Sequence, residues 1–201
     1  MISKDKKLNG LVLSGGKSTR MGMDKGLIEY HGKPQREYLY GLLQKVCDEV
    51  YMSIREDQET GVPGNLKYIK DKNRVNGPFN GLLSAHEFDP LAGWLVLACD
   101  LPMITQQGIE FLIANRDFSK AATAYATRES KLPEPLCAIW EPEALSEAEK
   151  YLEKGNGTCP RKFLINSDVQ LVFPEDDQLL VNANSQEDYR EVKAKLTAVE
   201  R

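Results

Sequence analysis

Long apolar stretches are missing from this chain. Its apolar runs end after a few residues, as in Leu11-Val12-Leu13 or Trp94 to Cys99, too short to span a bilayer. The opening residues, Met1-Ile2-Ser3-Lys4-Asp5-Lys6-Lys7, carry no apolar core of a signal peptide, so a cytoplasmic protein with no membrane contact is expected. Histidine is scarce, with two residues, and the four cysteines (Cys47, Cys99, Cys137, Cys159) include no CxxC pair. A thiolate zinc site and a disulfide framework are disfavoured, and most of the cysteines are expected to be small buried hydrophobes. An excess of one charge is also lacking: Lys and Arg total 26 against 30 Asp and Glu, a net charge of −4. That balance argues against a protein that grips a nucleic-acid backbone, while leaving room for a local basic pocket. Repeats, low-complexity tracts and long linkers are absent too. The 201 residues, 41% of them apolar, therefore read as one domain spanning 1–201.

What is present is an alternation of strand and helix patterns. Residues 8–14, 50–54, 66–69, 94–98, 121–127 and 135–140 read as strands. Helical spacing of apolar residues marks Tyr38, Leu39, Leu42, Leu43 and Val46, and again Ala144, Leu145, Ala148, Tyr151 and Leu152. Further helices are expected over about 80–87 and 105–114. A last one should start after Ser185, whose partner three residues on is Asp188, close to a capping box. Such alternation predicts an α/β fold, a three-layer α/β/α sandwich around a mostly parallel sheet. Ligands of such sheets bind outside the carboxyl ends of the strands.

Two segments at such ends carry chemistry. The loop Gly15-Gly16-Lys17-Ser18-Thr19-Arg20-Met21-Gly22-Met23-Asp24-Lys25-Gly26 follows a buried strand. It is no P-loop, because Leu11 stands where that motif needs glycine, and the GxGxxG spacing fails at Lys17. Its glycines nevertheless let backbone N–H groups approach phosphate oxygens, and Lys17, Arg20, Lys25 and the nearby Lys33 supply cations. Asp100 follows the most apolar strand and reads in two ways: as the hard oxygen ligand that Mg2+ takes together with phosphates, or as the cap of a turn before Pro102. Asp71, Asn182 and Asn184 read from their surroundings as turn-forming polar residues, the two asparagines at the end of a strand. Arg161 and Lys162 read as a solvated basic pair, with a second anion contact as the alternative.

The run Leu13-Ser14-Gly15-Gly16, with Arg20-Met21-Gly22 and Asp24-Lys25-Gly26, resembles the signature of Rossmann-like nucleotidyltransferases of the nucleotide-diphospho-sugar transferase type. Among these it is closest to the molybdenum cofactor guanylyltransferases. The resemblance continues through Gly32-Lys33-Pro34, Asp71, Gly77-Pro78, Gly81, Cys99-Asp100-Leu101-Pro102 and Asn182-Ala183-Asn184-Ser185, nearly the whole chain. It implies a Mg2+-dependent transfer of GMP from GTP to molybdopterin, with release of pyrophosphate. Leu13, Ser14, Gly15 and Gly16 would bind the nucleotide, Lys25 its phosphates with Arg20 assisting, and Asp71 the base or ribose. Asp100 would hold the metal; Arg20, Lys25 and Asp100 form the implied catalytic set. Asn182 and Asn184 match the pterin side. Ser53-Ile54-Arg55 stands where the family often carries a nucleotide-contacting asparagine. A monomer in transient contact with molybdoenzymes or other cofactor-biosynthesis proteins is implied. The rival readings are a cytidylyltransferase acting on the same pterin, a sugar-phosphate nucleotidyltransferase of the same fold, and a non-catalytic nucleotide-binding module.

Overall fold

A computed structural model describes residues 7–15 and 24–199. Seven strands form one sheet: β1 (Leu8–Leu13), β2 (Glu49–Ile54), β3 (Tyr68–Lys70), β4 (Gly93–Ala98), β5 (Ala122–Ala126), β6 (Pro133–Trp140) and β7 (Val169–Val172), in the order β3-β2-β1-β4-β6-β5-β7. All neighbours run parallel except β6, which is antiparallel to both β4 and β5. The expected mostly parallel α/β sandwich is what forms.

Side-chain alternation along the strands divides the core into two layers. On one face Leu8, Val12, Leu95 and Leu97 pack with Leu39 and Leu43 of α1 (Gln35–Leu43) and with Ile109 and Leu112 of α3 (Gln106–Ala114). On the other, Leu11, Trp94 and Val96 meet Phe79 and Leu82 of α2 (Phe79–Phe88), Leu145 of α4 (Pro142–Glu153) and Phe163 of α5 (Pro160–Ile165). Every residue of β4 is buried, as an inner strand covered on both faces requires. Gly10 lets α1 lie close against β1, since a Cβ there would fall 3.0 Å from Leu43 Cβ.

A third cluster matters for the site. Val192 of α6 (Gln186–Val199) packs with Ile28, Tyr30 and Ala183, and Lys193 donates to Glu29 O at 2.8 Å. The C-terminal helix thereby fastens the segment after Lys25 to the segment carrying Asn182 and Asn184. The expected cap of α6 is present in both directions: Asp188 N–H donates to Ser185 Oγ at 3.1 Å, and Ser185 N–H to Asp188 Oδ2 at 2.8 Å.

Three expectations are corrected. Residues 182–184 end no strand; they follow a 3-10 turn at Asp177–Leu180 and are held by Ala183 N–H donating to Asp100 O at 2.9 Å. The third strand is Tyr68–Lys70, two residues later than the apolar pattern suggests. Strand β6 starts at Pro133 despite two prolines, which is tolerable because its ladder with β4 begins only at Cys137 and its register with β5 shifts near Ala126.

Candidate functional site

The strand order reverses at β1, with β2 and β3 on one side of it and β4 on the other. A parallel sheet opens a crevice at such a point, outside the carboxyl ends of the strands. A cavity of about 470 Å³ lies there, with Leu13, Ser14 and Gly15 leaving β1, Ser53 and Arg55 at the end of β2, and Asp71 beyond β3. Ala98, Cys99 and Asp100 close it from β4, and Gly77, Pro78 and Gly81 from the start of α2.

The β1 end is tightly fitted. A Cβ on Gly15 would stand 2.6 Å from Asp71 Oδ2, so only glycine lets the loop backbone pass that carboxylate. Asp71 is fixed from below, its N–H donating to Ile54 O at 2.8 Å while Ser53 Oγ donates to Oδ1 at 2.5 Å. Burial raises the Asp71 proton affinity, opposed by the Ser53 hydrogen bond and the Arg55 charge. Arg55 donates to Gly15 O at 2.6 Å and pairs with Asp57 at 2.9 Å, bracing the backbone at the end of β1. Gln58 Nε2 donates to Ser14 O at 2.9 Å and to Asp24 Oδ2 at 2.6 Å, which ties the returning loop to the end of β1.

Lys25 follows this tie. Its Nζ stands 3.9 Å from Asp100 Oδ2 and donates to Asn184 Oδ1, so one cation touches groups from β4 and from the 182–184 segment. Asp100 is the most exacting residue of the site. Its Oδ1 is buried and has no hydrogen-bond partner among the described residues. Burial raises its proton affinity, with Lys25 pulling the other way. An orphaned carboxylate oxygen at the end of a parallel strand suits a cation that a phosphorylated ligand brings with it.

A second cavity, of about 630 Å³, adjoins the first. It shares Asn76, Gly77, Pro78, Asp100 and Leu136 with it and extends to Glu134, Cys159, Arg161, Asn182 and Asn184. Asp100 thus stands on the boundary between two chambers.

Leu13, Ser14, Gly15, Lys25, Asp71 and Asp100 meet in the first cavity as the resemblance implies, and Asn182 and Asn184 line the second. Gly16 and Arg20 lie outside the described residues. Arg161 is exposed, as a solvated cation would be, and at the same time lines the second cavity and bonds Glu134. Cys99 and Cys137 are buried as expected, whereas Cys159 is exposed. The histidines are spent elsewhere: His31 stacks on Tyr38 and bonds Pro102 O at 2.8 Å, and His86 bonds Ser146 Oγ at 3.0 Å. Sequence reasoning passed over Arg55, Gln58 and Glu134. Only the first stood inside a recognisable motif region.

Residues 10–170 match the family model of the MobA-like NTP transferase domain. The chain is 41% identical over 186 residues to a molybdenum cofactor biosynthesis bifunctional protein of Synechocystis, covering 92% of this chain and 53% of that protein. It thus spans about half the length of that relative. A molybdenum cofactor guanylyltransferase of Ectopseudomonas mendocina is 27% identical over 179 residues, covering 88% of this chain and 87% of the relative. Among solved structures, molybdopterin-guanine dinucleotide biosynthesis protein A of Archaeoglobus fulgidus superposes with a TM-score of 0.77 at 18% identity, over 94% of this chain and 99% of the other. A CMP:2-keto-3-deoxy-manno-octonic acid synthetase complexed with CTP superposes at 0.74 with 15% identity, over 98% and 100%. These structural likenesses speak for the fold. With Gly15, Lys25 and Asp100 meeting at the sheet's switch point, and a family match running through them, this chain belongs to the MobA-like NTP transferase family.

Proposed function

We propose that the protein transfers the guanylyl group of GTP to the terminal phosphate of molybdopterin, forming molybdopterin guanine dinucleotide and releasing pyrophosphate. The observation that carries this reading is the pair of cavities meeting at Asp100, with Lys25 of the first standing beside Asp100 and donating to Asn184 of the second. A transfer between two ligands needs each bound on its own side of the reacting phosphorus, and the relatives named as guanylyltransferases suggest which two ligands these are.

The nucleotide takes the first cavity. Backbone groups of Leu13 to Gly15 pass along its base and ribose, and Asp71 offers carboxylate oxygens to guanine N–H groups or to a ribose hydroxyl. Lys25 neutralises the phosphates. The acceptor phosphate enters from the second cavity and attacks the α-phosphorus; the bond to the β-phosphate oxygen breaks, and pyrophosphate leaves. A phosphate monoester, with a second pKa of about 6, is already mostly ionised at neutral pH, so the attack calls for no protein base. Nor does it call for a protein nucleophile: the one thiol beside Asp100, Cys99, is held protonated by burial. Positioning and charge neutralisation are the chain's contribution.

Mg2+ belongs to this reading. Asp100, with its orphaned Oδ1, is the residue that fits it, and no cluster of three or more His, Cys, Asp or Glu side chains exists among the described residues to hold a metal without the ligand's phosphates. When bound, the ion would screen phosphate charge from the carboxylate.

The test is to incubate the chain with Mg2+ and each NTP, with and without molybdopterin, and to follow pyrophosphate. Release is expected only with GTP and acceptor together. Equal release with CTP would remove the guanine assignment, and release without acceptor would mark a hydrolase.

A further inference from the structure

The second cavity contains a partly buried carboxylate for which the transfer step has no use. Glu134 lies on β6 with its side chain only 13% exposed. Leu136 N–H donates to Oε1 at 3.3 Å, and the Arg161 guanidinium donates to Oε2. Arg161 is itself oriented by Pro133 O at 3.2 Å. A carboxylate has about four lone-pair sites, and one partner on each oxygen leaves half of them unused. Burial raises the proton affinity of Glu134, opposed by Arg161, so holding the ion in this wall costs free energy that ligand donors would return. The wall on either side is Pro135, Leu136 and Pro160, apolar and short, suited to the faces of a flat ring.

The acceptor's direction in this cavity is constrained. Its phosphate must reach the Asp100–Lys25 boundary, so its ring system points away from Asp100, toward the part of the wall that Glu134 and Arg161 form. We propose that Glu134 is the specificity-determining residue of the acceptor site, its carboxylate taking two hydrogen bonds from a 2-amino-4-oxo-pyrimidine edge. That edge presents an exocyclic amino group and a ring N–H side by side, the donor pair a carboxylate matches in two-point contact. Arg161 holds the carboxylate in the orientation that aims it at the ring. This inference rests on the reading that the second cavity takes a pterin acceptor.

The intact chain is titrated with pterin and with lumazine, in which oxygen replaces the 2-amino group, following pteridine fluorescence. Pterin is expected to bind about tenfold or more tightly than lumazine, the difference one hydrogen bond to a charged group makes. Glu134→Gln should erase most of that preference while the rise in melting temperature on adding GTP persists. Equal binding of the two pteridines by the wild type, binding of neither, or a Glu134→Gln protein that keeps the preference overturns the proposal. Should Glu134→Gln lose the GTP response along with its fold, Glu134→Asp, which keeps the charge on a shorter stem, takes its place. It is then expected to weaken pterin binding with the GTP response intact, and unchanged pterin binding would count against the proposal. Guanylyl transfer to molybdopterin is measured on the wild type in parallel. Transfer without a pterin preference removes the role of Glu134 alone; a pterin preference without transfer removes the reaction and leaves the recognition edge standing.

Discussion

The first cavity, the nucleotide half in the function we propose, gathers its residues at the carboxyl ends of neighbouring parallel strands: Ser14 and Gly15 after β1, Arg55 after β2, Asp71 after β3 and Asp100 after β4. The second cavity, the proposed acceptor half, has another plan. It takes Glu134 from the one antiparallel strand, Arg161 from α5, and Asn182 and Asn184 from an extended segment pinned by Ala183 to Asp100 O. In the first half the backbone direction alone brings the groups to one edge. In the second half they converge only because α5, α6 and the 182–184 segment pack where they do. The first is a property of the sheet and the second of the covering layer.

That contrast can be attacked at the residue the halves share. Asp100→Ala should cut pyrophosphate release by about 10²–10³-fold, the size of loss seen when one group stabilising a developing charge is deleted, and should raise the Mg2+ requirement. Melting temperature is measured on the same protein. An unstable yet active variant would make Asp100 a turn residue and dissolve the boundary between the two chambers.

Next in size is Lys25→Ala. Losing a charge-assisted hydrogen bond of about 1.5–3 kcal/mol should weaken GTP binding roughly 10–100-fold with the fold intact. Because Lys25 also touches Asn184, its loss should disturb acceptor KM as well. A variant with an altered KM for GTP alone would show that the two halves are not coupled through this side chain.

Asn184→Ala should act on one half only. A neutral hydrogen bond is worth about 0.5–1.5 kcal/mol, so acceptor KM is expected to rise a few-fold while the GTP-induced thermal shift stays as it was. A larger effect on GTP than on acceptor would move Asn184 into the nucleotide half.

The smallest effect concerns stability. The folded-state proton affinity of Asp100 is raised, so at neutral pH the fold bears the cost of a buried ionised carboxylate, and that cost disappears as pH falls through the folded pKa. Asp100→Asn should therefore melt slightly higher than the wild type at pH 7, with the gap closing toward acid. Thermal melts across that range decide it, and a gap that widens in acid would reverse the sign.

Much of the nucleotide half was legible beforehand because its signals are local. A buried strand followed by glycines and a lysine, or an apolar strand followed by Asp100, can be read within a dozen residues. The acceptor half was read less well for an equally physical reason. Four-residue β7 and six-residue α5 are too short for periodicity to stand out, and two prolines disguised the start of β6. Glu134 carries no local signal of its own and reaches the second cavity only because β6 is seated between β4 and β5. Asp71 is intermediate: its neighbours suggested a turn, and only the fold sets its carboxylate beside Gly15 at the end of β1.

The sequence by itself determined the alternation of strands and helices, the parallel class of the sheet and the strand ends at which ligands gather, since each of these follows from periodicity and from residues adjacent in the chain. Tertiary structure alone decided that β6 runs against its neighbours, that Ala183 pins the asparagine segment to Asp100, and that Lys25 meets both Asp100 and Asn184. Those relations join residues up to 159 positions apart, Lys25 and Asn184 being the widest pair. No local pattern encodes such a pairing, which arises only when burial of apolar faces on both sides of the sheet brings distant segments together.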